Sequence, residues 1–137
     1  STPFDESAVD FLETLECPFY KISSFEMCDE PLIKRVAKTK KPIIISTGLS
    51  DLSEIERSYR IAKKYGSNSI ALLYCVSKYP ADACDFNLNN IQILKKKFNC
   101  KVGFSDHSKD TEIAQIAVAK GVPPVFAGSE DSPRNPG

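Results

Sequence analysis

The sequence predicts an α/β protein built from parallel (β/α) repeats, read as an incomplete (β/α)8 barrel segment. Three observations predict it. Short apolar or β-branched runs begin near residues 19, 42, 70 and 101. Stretches of helical period fill the intervals between them, so that each unit is about as long as one βα repeat. The strand runs are apolar almost throughout rather than alternating, the pattern of a parallel sheet covered by helices. Two architectures meet these conditions: a barrel segment, and an open doubly wound sheet of the flavodoxin-like kind.

The elements follow in order. Asp5 is a helix cap, with Ala8, Phe11, Leu12 and Leu15 at i, i+3, i+4 and i+7 behind it. A short run, Phe19 to Ser24, is the first strand. Asp29, Glu30 and Pro31 open a helix whose stripe is Leu32, Ile33, Val36 and Ala37. Pro42 introduces the strand Ile43 to Gly48. Ser53 and Glu56 have capping-box spacing ahead of a helix with Leu52, Ile55, Tyr59 and Ala62 on one face and Gly66 as its stop. Ile70 to Ser77 is a strand, and Tyr79-Pro80 lies in a loop. Asn87 caps a helix with Ile91, Leu94 and Phe98 on one side. Lys101 to Ser105 is the fourth full strand, and Asp110 to Lys120 the last helix. Pro123-Pro124 removes two ladder donors, so a strand there is short or at an edge. The expected division is a domain over 1–122 and a Pro/Gly-rich, atypical or disordered tail over 123–137.

Composition narrows the function. The 137 residues carry 18 Lys+Arg and 18 Asp+Glu, a formal net charge of zero, which argues against nucleic-acid binding through a basic surface. Hydrophobic residues at 42% and charged residues at 26% exclude a disordered polyampholyte. No apolar run approaches the roughly 20 residues that span a bilayer, and no leader is visible. The five cysteines, 17, 28, 75, 84 and 100, form no Cys-x-x-Cys pair. Reduced thiols and a cytoplasmic location are the expectation.

In parallel α/β proteins chemistry collects at the carboxyl ends of the strands. Here those ends read Ser1-Thr2, Ser23-Ser24 followed by Glu26, Ser46-Thr47-Gly48, Val76-Ser77 and Ser105-Asp106-His107. Lys21 lies three residues before Ser24, inside an apolar strand. Hydroxyls, backbone amides and one ammonium suit a phosphate or carboxylate. Glu26 is a candidate acid–base group and His107, the single histidine, a candidate metal ligand. Blander readings stand beside these. Serine and threonine at a strand end also cap helices, Lys21 can snorkel, and Glu26 suits a helix amino terminus. The Lys95-Lys96-Lys97 run reads as a solvated helix face.

The ordered set Lys21-Ile22-Ser23-Ser24-Phe25-Glu26, Lys41-Pro42-Ile43-Ile44-Ile45-Ser46-Thr47-Gly48, Cys75-Val76-Ser77-Lys78-Tyr79-Pro80 and Val102-Gly103-Phe104-Ser105-Asp106-His107 resembles the sialic acid synthase family. Ser1 to Asp5 and Asn87-Leu88 fit as well, and the similarity runs from residue 1 to about 122. Phe25 stands where the N-acetylneuraminate synthases usually have glycine, as in the pseudaminic acid synthase branch. The resemblance implies a TIM barrel that condenses phosphoenolpyruvate with an open-chain N-acetylated amino sugar, with a divalent metal (Mn2+ or Mg2+) polarising the sugar aldehyde. It implies Thr2, Lys21, Ser24, Ser46, Ser77 and Ser105 on phosphoenolpyruvate, Glu26 facing the sugar with Lys21 as its catalytic companion, and His107 on the metal. A homodimeric parent is implied, with no nucleic-acid or membrane partner.

Two departures shape the expectation. The family's second metal histidine belongs to a Glu-(Arg/Lys)-His motif, and the corresponding segment here reads Pro124-Val125-Phe126-Ala127. The family's first strands, with an essential glutamate, have no counterpart in this sequence. The chain alone is therefore expected to be inactive and to associate through open strand edges. The competing readings are a small flavodoxin-like binding or scaffold domain, and an aldolase-type barrel with Lys21 as the Schiff-base lysine.

Overall fold

The computed structural model describes residues 1–109 and 112–122, and the backbone of 124–127. The elements are α1 (Glu6–Thr14), β1 (Tyr20–Ile22), α2 (Glu30–Lys38), β2 (Ile43–Ser46), α3 (Leu52–Lys64), β3 (Ile70–Tyr74), a 3-10 turn (Ala83–Asp85), α4 (Asn89–Phe98), β4 (Lys101–Asp106), α5 (Glu112–Ala119) and β5 (Pro124–Ala127). All five strands form one parallel sheet in the order β1-β2-β3-β4-β5. A doubly wound sheet reverses its strand order at a switch point. This order never reverses, so the flavodoxin-like alternative fails and the barrel-segment architecture stands.

Burial explains how the layers sort. Tyr20 and Ile22, Ile43 and Ile45, Ile70, Leu72 and Tyr74, and Val102 and Phe104 all join one buried cluster with helix residues Val9, Leu32, Ile33, Val36, Ala37, Ile55, Ala62, Ile91, Leu94, Phe98, Ile113 and Ala117. They are alternate residues of their strands, so one sheet face carries every helix contact. The intervening residues Lys21, Ile44 and Ala71 are half-buried and lie opposite one another across the sheet. They face away from the helices, toward what is the interior in a closed barrel. Leu73 and Ser46 on that face are buried and paired in register.

Caps and faces refine the sequence reading. Asp5 caps α1 by accepting from Ala8 N, but the helix buries Val9, while Phe11 and Leu15 are 63% and 61% exposed. The i, i+3, i+4, i+7 pattern therefore holds at Leu12, which packs against the core, but not at Phe11 or Leu15; Val9, one residue past Ala8, turns inward. The capping box of α3 is Asp51 with Glu54, not Ser53 with Glu56. Asp51 has the shorter reach to the first free amides, accepting from Ser53 N at 2.8 Å and Glu54 N at 2.9 Å. The cap position of α4 is Leu88 rather than Asn87, with no side-chain cap; Asn87, one residue earlier, accepts from Asn89 N at 3.2 Å. Of the lysine run, Lys97 pairs with Glu56 and Lys95 donates to Gly121 O, so the face is not wholly solvated. The expected strand at the prolines is present as β5, short and at the sheet edge, so residues 124–127 belong to the sheet rather than to a tail. Asp110 and residues 128–137 lie outside the described residues. All five cysteines are free thiols.

Candidate functional site

Parallel strands with a common direction bring their carboxyl ends to one rim. Along that rim the polar tips of β1 to β4 meet in sequence. Ser24 Oγ accepts from Gly48 N at 3.1 Å and lies 3.4 Å from Cys75 Sγ, linking the ends of β1, β2 and β3. Gly48 is required there: a Cβ would sit 2.4 Å from Ser77 Oγ and 2.8 Å from Cys75 Sγ. Thr47 Oγ1 donates to Leu73 O at 3.0 Å and holds the β2 tip against β3. His107 Nδ1 lies 2.8 Å from Val76 O, and His107 Nε2 lies 3.2 Å from Ser105 Oγ, linking β3 to β4. The Tyr79 ring stacks on the His107 ring with centroids 4.3 Å apart.

The residues singled out by sequence divide into neighbours. Ser24 and Ser77 both border Gly48, and Ser105 borders His107. Ser46 and Ser105 are buried; Thr2, Lys21, Ser24, Ser77, Glu26 and His107 are half-buried. Lys21 N donates to Ser1 O at 2.8 Å. The same offset, Tyr20 N to Pro42 O, pairs Tyr20 with Ile43. Thr2 therefore stands opposite Lys21, beside β1. Parallel partners project to the same side, so Thr2 and Lys21 share the helix-free face, one pleat below the level of Ser46. The Glu26 carboxylate accepts from Ser23 Oγ, which fixes it on the β1–α2 turn.

Sequence reasoning missed four participants. Cys75 is buried just past the end of β3, and its sulfur touches Ser24. Its spacing of two from Leu73 carried the signal. Gly48 reads as a turn until the proximity of Ser77 is known. Tyr79 and the Val76 carbonyl act across to the next strand, which no local pattern reveals. A cleft of about 440 Å³ opens outboard of the tips between α3 and α4, lined by Thr47, Gly48, Ser50, Leu52, Asn90 and Leu94 among others. At its margin Lys78 binds Asp82 and Asp85, which raises the lysine and holds the Asp85 carboxyl below the usual range.

Metal coordination needs several donors at one point. Among the described residues no three His, Cys, Asp or Glu side chains come together to hold an ion. His107 offers a single coordination position, and the described part of the chain does not complete one.

A parallel sheet whose strand order never reverses, with its helices on one face, defines a segment of an α/β barrel. The chain matches the NeuB family over residues 1–125 and belongs to that family. It is 42% identical over 123 residues to the N,N'-diacetyllegionaminic acid synthase of Campylobacter jejuni, covering 88% of this chain and 37% of that protein. It is 42% identical over 108 residues to the pseudaminic acid synthase of Helicobacter pylori, covering 79% of this chain and 32% of that protein. Among solved structures, the N-acetylneuraminic acid synthetase of Leptospira borgpetersenii, crystallised with citrate, matches with a TM-score of 0.84 at 40% identity, over 88% of this chain and 42% of that one. The spore coat polysaccharide biosynthesis protein SpsE of Bacillus subtilis matches with a TM-score of 0.86 at 38% identity, over 89% and 35%. The chain thus spans about a third of the length of the relatives it matches. No helix among the described residues is long and apolar enough to cross a membrane.

Proposed function

We propose that this chain is the anion-holding part of a phosphoenolpyruvate-dependent synthase that makes a nonulosonic acid from an N-acetylated amino sugar. The observation that carries the reading is the meeting of Ser24, Gly48, Cys75 and Ser77 at one point of the rim, with Lys21 and Thr2 side by side on the adjoining face. Hydroxyl and amide donors plus one ammonium match the phosphate and carboxylate of phosphoenolpyruvate. The relative solved with citrate is itself bound to a carboxylate anion.

In this reading Thr2, Lys21, Ser24, Ser46, Ser77 and Ser105 grip phosphoenolpyruvate, and Lys21 balances the charge of the departing phosphate. Glu26, held by Ser23, faces the amino sugar and manages a hydroxyl proton. The enol carbon bonds to the aldehyde carbon, water adds to the neighbouring carbon, and the C–O bond to phosphate breaks. A divalent cation, Mn2+ or Mg2+, supplies Lewis-acid polarisation when bound, and His107 gives it one ligand; the remaining ligands come from outside the described residues. Phe25, 71% exposed between Ser24 and Glu26, favours the pseudaminic branch, whose motif at this point is Ser-Phe-Glu. The whole protein acts in the cytoplasm as a homodimer, and the 137-residue chain alone lacks turnover.

Thermal melting of the purified chain tests this. Phosphoenolpyruvate at 100 times its Kd should add about 2.7 kcal/mol of apparent stability. Lys21→Ala should abolish the shift while leaving the unliganded melt nearly unchanged. A chain whose melting temperature ignores phosphoenolpyruvate sinks the reading. Product formation by the chain alone would refute its lack of turnover.

A further inference from the structure

We propose that Tyr79 is a positioning residue for His107, and that the loop after β3 fixes this imidazole as its Nδ1–H tautomer with the Nε2 lone pair presented at the rim. The argument begins with what a carbonyl can do. Val76 O only accepts, so the nitrogen 2.8 Å away, Nδ1, carries the proton. A neutral imidazole has one N–H, which leaves Nε2 as the acceptor. Its neighbours are two hydroxyls able to donate, Ser105 Oγ at 3.2 Å and, at a longer 3.4 Å, Tyr79 Oη.

The same loop holds His107 at two further points. Ala81 N donates to His107 O at 3.0 Å, and Ala81 itself is buried. The Tyr79 ring lies nearly parallel to the imidazole, at 25° and 4.3 Å. One carbonyl therefore sets the proton, one amide sets the backbone, and one aromatic ring sets the plane. Tyr79 is 57% exposed, so its ring serves as a cover over the imidazole rather than as core filling. Neighbours that orient a ligand's ring and choose its tautomer decide which atom it offers. Here that atom is Nε2. The consequence for a bound cation rests on the function proposed above; the clamp itself does not.

His107 is the only histidine, so a long-range ¹H–¹⁵N spectrum of the 137-residue chain reports one imidazole. In mildly alkaline buffer the expected pattern is a pyrrole-like Nδ1 and a pyridine-like Nε2, the reverse of the tautomer a free histidine side chain favours. Tyr79→Phe keeps the stack and should retain the pattern, with Nε2 moved downfield by the loss of one donor. Tyr79→Leu should pull both shifts toward their mean as tautomers exchange. An Nε2–H pattern in the unmodified chain overturns the proposal, as does an unchanged pattern in Tyr79→Leu with a folded amide spectrum. If Tyr79→Leu does not fold, ring-to-ring Overhauser contacts between Tyr79 and His107 in the unmodified chain decide: present, they support the stack; absent, they overturn it. Lys21→Ala should leave the tautomer untouched, so failure of the phosphoenolpyruvate melt and failure of the clamp read out separately.

Discussion

The two ends of the sheet are built on opposite rules. At the amino end, polar groups are spent on one another. Tyr20, fully buried, donates its hydroxyl to Glu13, and Lys41 Nζ reaches the same carboxylate at 2.6 Å. Three elements, α1, β1 and the entry to β2, are tied in one closed network. At the carboxyl end the hydroxyls of Ser24 and Ser105 meet a backbone amide, a thiol and an imidazole, partners that each leave the oxygen further capacity. A closed network holds the fold together. An open one leaves donors for a ligand, and the pattern teaches where to look for function without any ligand being present.

The comparison breaks most visibly in the layer between the ends. Leu72 is fully buried in the helix-facing cluster. Leu72→Ala should cost about 2–5 kcal/mol, the usual range for a cavity left by a buried leucine. Chemical denaturation should show the midpoint falling with little change in slope. A loss under 1 kcal/mol would mean that the helix side is loosely packed and that the closed-end, open-end contrast has no rigid layer to rest on.

Tyr20→Phe sharpens the contrast at the amino end. The lost hydroxyl bonds a carboxylate, and such bonds contribute about 1.5–3 kcal/mol; partial solvent access to Glu13 favours the lower figure. The pH dependence identifies the partner. The Lys41 ammonium first, and the Tyr20 hydroxyl second, hold the Glu13 carboxyl below its ordinary range. A depressed carboxyl contributes stability that is present above its unfolded value and lost as pH falls through its folded one. The deficit of Tyr20→Phe should therefore be full at neutral pH and shrink in acid below the ordinary glutamate range. A deficit independent of pH would place the hydroxyl's contribution elsewhere.

How much of this was legible depended on whether the cause was local. Leu32, Ile33, Val36 and Ala37 were readable as one stripe because helical period alone puts them together, and all four are buried. Strand starts were readable because β-branched runs such as Ile43 to Ile45 favour extended backbone. The α1 face was misread because Phe11 and Leu15 obey the period yet have nothing to cover them among the described residues, so hydrophobicity pointed to a flank that packing left bare. At the rim, serines and Lys21 announced themselves by recurring at strand ends. Ser24 beside Cys75, or Tyr79 over His107, joins residues 51 and 28 positions apart. Such pairs depend on register and loop path, which one-dimensional patterns do not contain.

Ser24→Ala carries the smallest stability effect and separates the two ends most cleanly. It removes an acceptor from Gly48 N and a contact with Cys75 Sγ. Gly48 is half-buried, so water can reach the freed amide, and the expected cost is about 0.5–1.5 kcal/mol, that of one ordinary hydrogen bond. The methyl that remains meets no steric obstacle where an oxygen stood. Yet the same substitution takes away a donor at the point where β1, β2 and β3 converge, so the phosphoenolpyruvate-induced rise in melting temperature should shrink well beyond what the small loss of unliganded stability accounts for. Tyr20→Phe should do the reverse, lowering the unliganded melt and leaving the ligand-induced rise intact. Equal ligand shifts in the two variants would mean that the open end holds no anion and that its hydroxyls serve only to close the turns.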